Sequence, residues 1–202
     1  MSLPADIKIL HDQLDAAERD AQQLATGLSN ELANWRPSPT SWTVAECLDH
    51  LAITNRAYLA AMRTPAVRAH EQGRRRRRPA KPGWIGSWFV RSLEPPARMR
   101  IKAPPSIQPR PAPPLADALA GFCDEQNEVR AYLRDYSDLD LAGLHFANPF
   151  IPGIRFSLAT GLHIISVHER RHLWQAWRVR EAAEAVLKKA ENNPPPERYN
   201  RL

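Results

Sequence analysis

Cysteine is nearly absent: two residues in 202 cannot staple a chain of this length, which excludes a disulfide scaffold. Long hydrophobic runs are missing too. Nothing approaches the roughly 18 to 20 consecutive apolar residues that a membrane span needs. The opening stretch, Met1 to Asp20, carries acids where a secretory leader would need an apolar core. These absences predict the cytoplasm as the compartment, with reduced thiols and no membrane partner. Glycine is sparse at 8 and proline plentiful at 19, while 43% of the residues are hydrophobic. That is enough apolar material for one globular domain over 1–202.

Charge is unevenly placed. The segment Thr64–Pro114 holds twelve Lys+Arg and two Asp+Glu, a net +10 that leaves −4 on the rest of the chain. Ten prolines between Pro79 and Pro114 argue against long helices or central strands there. The segment 64–113 therefore reads as a long basic, Pro-rich excursion between two regular regions.

Helical spacing organises the remainder. Ile7, Leu10, Leu14, Ala17, Ala21, Leu24, Leu28, Leu32 and Trp35 recur at steps of three and four, predicting one helix that Pro37 and Pro39 end. Thr43-Val44-Ala45-Glu46 is a capping box, flanked by Trp42 and Cys47 at the staple positions. It opens a second helix expected over 44–62, ending before Pro65. Pro113-Pro114 can start a third helix, carried by Leu115, Leu119, Phe122, Gln126, Val129 and Leu133. Ser157 can cap a fourth, whose inner face would be Leu158, Leu162, Ile165, Glu169 or His168, His172, Ala176, Val179 and Ala183. Four amphipathic helices with little strand signal predict an all-α four-helix bundle with one long crossover. The tail ENNPPPERYNRL is expected to fray.

The anomaly lies on those inner faces. His168 and His172 are four residues apart, so on a helix both rings project from one side about 6 Å apart along the axis. His50 falls on or beside the inner stripe of the second helix, and three imidazoles can converge from two facing helices. A buried imidazole without a partner is costly. A divalent ion satisfies three at once and keeps a position open for water or substrate. The competing reading is three separate hydrogen-bonded core histidines.

Two stretches carry a resemblance. Trp42-Thr43-Val44-Ala45-Glu46-Cys47-Leu48-Asp49-His50-Leu51 resembles the W-[ST]-x-x-E-x-L-x-H-L signature of the DinB-like superfamily, and His168-Glu169-Arg170-Arg171-His172 resembles its C-terminal H-x-x-x-H helix. The resemblance implies a metal-binding four-helix bundle with His50, His168 and His172 as ligands of a divalent transition metal, zinc or nickel. It also implies a homodimer, and chemistry in which a low-molecular-weight thiol is conjugated to an electrophile or assists an isomerisation. The expected function is thus a metal-dependent transferase or hydrolase acting on a small-molecule substrate. The alternative is a non-catalytic, metal-stabilised stress-response or binding module.

His168–His172 also satisfies H-E-x-x-H, but neither a Gly nor a third His follows at metzincin spacing, and Glu191 stands just before a proline run. Glu169 remains the candidate catalytic residue, to orient a ligand or take a proton from bound water, against an inner-face salt bridge or a solvated carboxylate. Cys47 reads as a small core residue or a fourth ligand, and Cys123 as core; His145 and His163 are outside candidates. Trp174 and Trp177 read as core packing or as the seam of a homodimer. The run Arg74–Arg78 reads as a solvated loop, with nucleic-acid contact the weaker alternative because interleaved aromatics are missing. Trp84–Val90 is an apolar island that should fold back on the bundle, with a roof over the metal site as one placement.

Overall fold

The stripe that begins at Ile7 forms α1 (Ala5–Ala25) in a computed structural model describing residues 3–96 and 102–192. The single helix expected as far as Trp35 is instead broken in two. Gly27 adopts φ +70°, a left-handed conformation that ends α1. The chain then restarts as the one-turn α2 (Asn30–Ala33), where Ser29 Oγ accepts from the Leu32 amide at 3.2 Å. Leu28 and Ala33 stay buried, so the apolar face is kept while the helix is not.

The capping box forms as the sequence reads. Thr43 Oγ1 accepts from the Glu46 amide at 3.1 Å, and Glu46 Oε2 accepts from the Thr43 amide at 2.9 Å. The helix they open, α3 (Val44–Glu71), does not stop before Pro65. Met62, Ala66 and Ala69 continue its buried stripe, and burying them outweighs the one backbone bond that Pro65 cannot make. The excursion therefore begins after Glu71 rather than at Thr64.

Within the crossover the apolar island forms α4 (Trp84–Leu93), between the proline pairs that bound it. It docks on the final helix, α6 (Leu158–Asn192). Gly86 packs on Thr160, where a Cβ would come within 2.5 Å of Oγ1, and Phe89 meets Phe156 with ring centroids 5.1 Å apart. A 3-10 turn, Pro105–Ile107, follows. The arginine run is exposed as expected, apart from the half-buried Arg76, yet it is not without partners. Arg75 pairs with Asp138 at 3.3 Å, Arg78 with Asp140 at 3.2 Å, and Arg76 with Asp6, so three of the five fasten the crossover to the body.

The third long helix is α5 (Leu115–Asp135), preceded by Pro114. Between α5 and α6 lies a small antiparallel hairpin, β1 (His145–Ala147) and β2 (Arg155–Ser157), with Phe146 opposite Phe156. Ser157 Oγ accepts from the Thr160 amide at 3.1 Å and caps α6. The four long helices make the expected all-α bundle, with α3 packed on α5 and α6, and α1 packed on the same two. Most of the ENNPPPERYNRL tail lies outside the described residues.

The core has two apolar clusters. One gathers Ile7, Leu14, Met62, Leu133 and Ile165; the other gathers Leu24, Leu48, Phe122, Leu173 and Val179. Along α3, α5 and α6 the polar residues between these stretches, namely His50, Asn55, Gln126, His168, Glu169 and His172, make a layer across the bundle. Trp177 packs at the edge of the second cluster and donates its indole N–H to Asp20 at 2.8 Å. Its polar end is thus satisfied within the chain.

Candidate metal centre

α3 delivers His50 to the layer and α6 delivers His168 and His172. One ring nitrogen from each lies within 4.8 Å of the others. His50 Nε2 and His168 Nε2 are 3.3 Å apart, and the three ring centroids are separated by 4.5 to 5.0 Å. Trp42, just before the cap of α3, lies against His50 and His172 at centroid distances of 4.5 and 5.5 Å and walls one side.

The outer nitrogens decide what the inner ones can do. His50 Nδ1–H donates to the Ile107 carbonyl at 2.6 Å, and His172 Nδ1–H donates to Gln175 Oε1 at 3.1 Å. A carbonyl oxygen only accepts, so each neutral ring carries its proton on Nδ1 and turns the Nε2 lone pair toward the cluster. Protonation does not compete. Burial pushes His50 down to about 4, although the Ile107 bond and the Asp49 charge favour its proton. Burial holds His168 and His172 well below the usual imidazole value, and the neighbouring imidazoles add to the effect. His168 Nδ1 is buried and has no hydrogen-bond partner.

These residues fit a transition metal. Facing lone pairs 3.3 Å apart repel unless a proton or a cation lies between them. Ligand bonds of roughly 2.0 to 2.1 Å in tetrahedral geometry give an edge of about 3.3 Å. Three neutral imidazoles suit zinc, nickel, copper or iron, and three protein ligands leave a position free.

The crossover supplies part of this arrangement. Asp49, one residue before His50 and 3% exposed, accepts from the Arg110 side chain at 2.6 and 2.9 Å and from the Arg110 amide at 2.8 Å. That clamp holds the segment whose Ile107 carbonyl orients His50. Ile107 and Arg110 were not foreseen. A backbone acceptor 57 residues from its donor leaves no sequence signal, whereas Gln175, one turn after His172, could have been found by helical spacing.

Glu169 goes elsewhere. Successive helical residues point about 100° apart, and its carboxylate accepts from Asn55 Nδ2 at 2.7 Å and Gln126 Nε2 at 3.3 Å. It is fully buried, and burial raises it to about 8 against those two hydrogen bonds. When protonated it presents an O–H, and the unpartnered amide oxygens of Asn55 and Gln126 are the acceptors that a turned amide would offer. Cys47 is buried in the second apolar cluster, its thiol pushed up by burial. His145 Nδ1–H donates to the Gly143 carbonyl at 3.2 Å, and His163 Nε2–H to the Ala80 carbonyl at 3.1 Å. Neither belongs to the three-histidine group. A second grouping, His11, Asp12 and Asp15 on α1, is taken up by ion pairs with Lys8 and Arg130.

Fold and cluster together define a four-helix bundle with a three-histidine centre between its second and last long helices. A family model described as DinB superfamily matches residues 13–176, and the chain belongs to that superfamily. No curated protein and no solved structure matches it significantly. Among the described residues, no helix is long and apolar enough to cross a membrane.

Proposed function

We propose that the protein is a metal-dependent enzyme, a transferase using a small thiol or a hydrolase, acting on a small-molecule substrate at the three-histidine centre. The observation that carries this reading is the convergence of neutral Nε2 atoms, two of them oriented by fixed acceptors on the far side of the ring. Zinc or nickel is the favoured ion. When bound, such an ion supplies Lewis acidity, lowering the pKa of a thiol or water that reaches it. His50, His168 and His172 bind; the Ile107 carbonyl and Gln175 fix ring orientation; Trp42 excludes water from one side. A homodimer belongs to the same reading and is checked by sedimentation.

One observation favours a non-catalytic alternative. Glu169, the base candidate of the H-E-x-x-H pattern, bonds to Asn55 and Gln126, so a purely stabilising ion is the second reading. The nucleic-acid alternative is weakened by the pairing of Arg75, Arg76 and Arg78 with carboxylates.

The test strips the protein with a chelator and titrates back zinc, nickel or cobalt. Thermal stability is followed together with turnover of model electrophiles with a small thiol and of model esters. One bound ion with turnover that depends on it supports the enzyme. One bound ion with stabilisation and no turnover supports the second reading. No ion and no stabilisation removes both.

A further inference from the structure

α4 has a face that the bundle does not use. Its inner side is spent on α6 and β2, through Gly86, Phe89 and the buried Leu93. Its outer side carries Trp84, Ile85 and Trp88, which are 81, 64 and 69% exposed. Three large apolar side chains within one helical turn, two of them tryptophans, form the kind of patch that marks an interaction site. The neighbourhood is cationic. Lys81, Arg91 and Arg155 are exposed, and among the described residues none pairs with a carboxylate. Where α4 meets the hairpin, a cavity of about 480 Å³ is lined by Trp84, Ile85, His145, Arg155 and Thr160 among others. A guanidinium thus shares a recess with exposed apolar side chains.

We propose that the outer face of α4, with the adjoining recess, docks the protein onto an anionic phospholipid membrane. Tryptophan favours the boundary between headgroups and acyl chains, where its ring is apolar and its N–H stays wet. A short amphipathic helix with a basic surround lies in that boundary rather than spanning it. The absence of a long apolar run therefore does not bear on it. Each Lys or Arg near an anionic leaflet strengthens binding about fivefold, and Arg155 offers the recess to a headgroup phosphate. A second copy on this face would bring like charges together. Single-stranded nucleic acid would need stacking platforms along a groove, whereas Trp84 and Trp88 stand on the outward side of a helix with Ile85 between them. The inference does not depend on the histidine centre.

Vesicle flotation with the full chain tests it, using phosphatidylcholine alone and phosphatidylcholine with about a third phosphatidylglycerol. The expected result is binding to the anionic vesicles only, lost between about 0.1 and 1 M salt, with a blue shift of tryptophan fluorescence. Trp84→Ser/Trp88→Ser should lose at least about tenfold in affinity and most of the blue shift. Arg155→Ser should lose about fivefold. Both variants change exposed side chains, so their circular dichroism and melting points should match wild type. Failure to bind, or unaltered binding by both variants, overturns the proposal. So does dissociation of a dimer by the tryptophan changes without vesicles, which would assign the face to a second copy. Tryptophan-dependent binding of a single-stranded oligonucleotide by a protein that ignores the vesicles overturns it as well.

Discussion

Two polar groups occupy the same layer of the bundle, built partly from adjacent residues of one helix, and they have opposite characters. On one side of α6, His168 and His172 meet His50, and the one ring proton not fixed on the outer side, that of His168, faces two acceptor nitrogens. On the other side, Glu169 meets Asn55 and Gln126, and donors face an acceptor. The second group supplies its own donors: Gln126 also reaches the Leu14 carbonyl at 3.2 Å, so α1, α3, α5 and α6 are tied at one point, although the amide oxygens of Asn55 and Gln126 have no partner. The first is open, because His50 and His172 carry their protons on the outer nitrogens and the single proton of His168 can serve only one of them. Both groups lie in the interior, the Glu169 group fully buried and the histidine group slightly less so, and burial alone does not distinguish a binding site from an internal fastener. The pairing of hydrogen-bond roles does.

The largest effect should come from removing a member of the open group. His172→Ala is expected to weaken zinc or cobalt binding by more than about a hundredfold, beyond the range usual for outer-shell changes, and to abolish metal-dependent stabilisation. Competition with a chromophoric chelator and thermal melts would measure both. Wild-type affinity in the variant would mean that His172 is not a ligand.

Glu169→Ala should do the reverse. It strands the amide donors of Asn55 and Gln126 and leaves a cavity, costing about 2–4 kcal/mol in urea unfolding, with metal affinity within about threefold of wild type in the folded protein. Glu169→Gln keeps the volume and should cost less than about 1.5 kcal/mol. A collapse of metal binding in Glu169→Gln would erase the contrast between the two groups.

Outer supports of the histidines should give intermediate losses. Gln175→Leu removes the acceptor for His172, and Arg110→Ala loosens the segment holding Ile107. Each is expected to reduce metal affinity by roughly tenfold. Arg110 is mostly exposed, so its loss should scarcely change unfolding in the metal-free protein. A stability loss without an affinity change would make its clamp purely structural.

A reference outside both groups should give the smallest change. Burial alone would raise the Asp6 carboxyl, but Arg76 and the Ala80 amide outweigh it and hold it below its ordinary value of 3.8. Its contribution is therefore present above the unfolded-state pKa and lost as pH falls through the lower folded-state value. Asp6→Asn should cost about 1 kcal/mol near neutrality, and the gap to wild type should close below about pH 3. A gap that widens in acid would contradict that sign.

Much of this was readable along the chain. The capping box, the i,i+4 histidine pair and the helical stripes are local patterns; the first two form as read, and the stripes keep their buried faces with shifted helix ends. One departure is local, the end of α1 at the left-handed Gly27; the others arise where distant atoms decide. α3 runs on through Pro65 because Ala66 and Ala69 find a buried surface. The arginine run, repulsive in isolation, meets Asp6, Asp138 and Asp140 only after folding. Glu169 looked catalytic within H-E-x-x-H, yet its role follows from Asn55 and Gln126, on two other helices.

By itself the sequence determined the helices, their apolar faces and the histidines available to meet, because periodicity and capping are settled within a few residues. Tertiary structure alone decided which ring nitrogen carries the proton, which carboxylate is shut inside the core, and which apolar face α4 leaves bare. Those outcomes depend on partners tens of residues away, where hydrogen-bond roles and burial are assigned by packing and not by order along the chain.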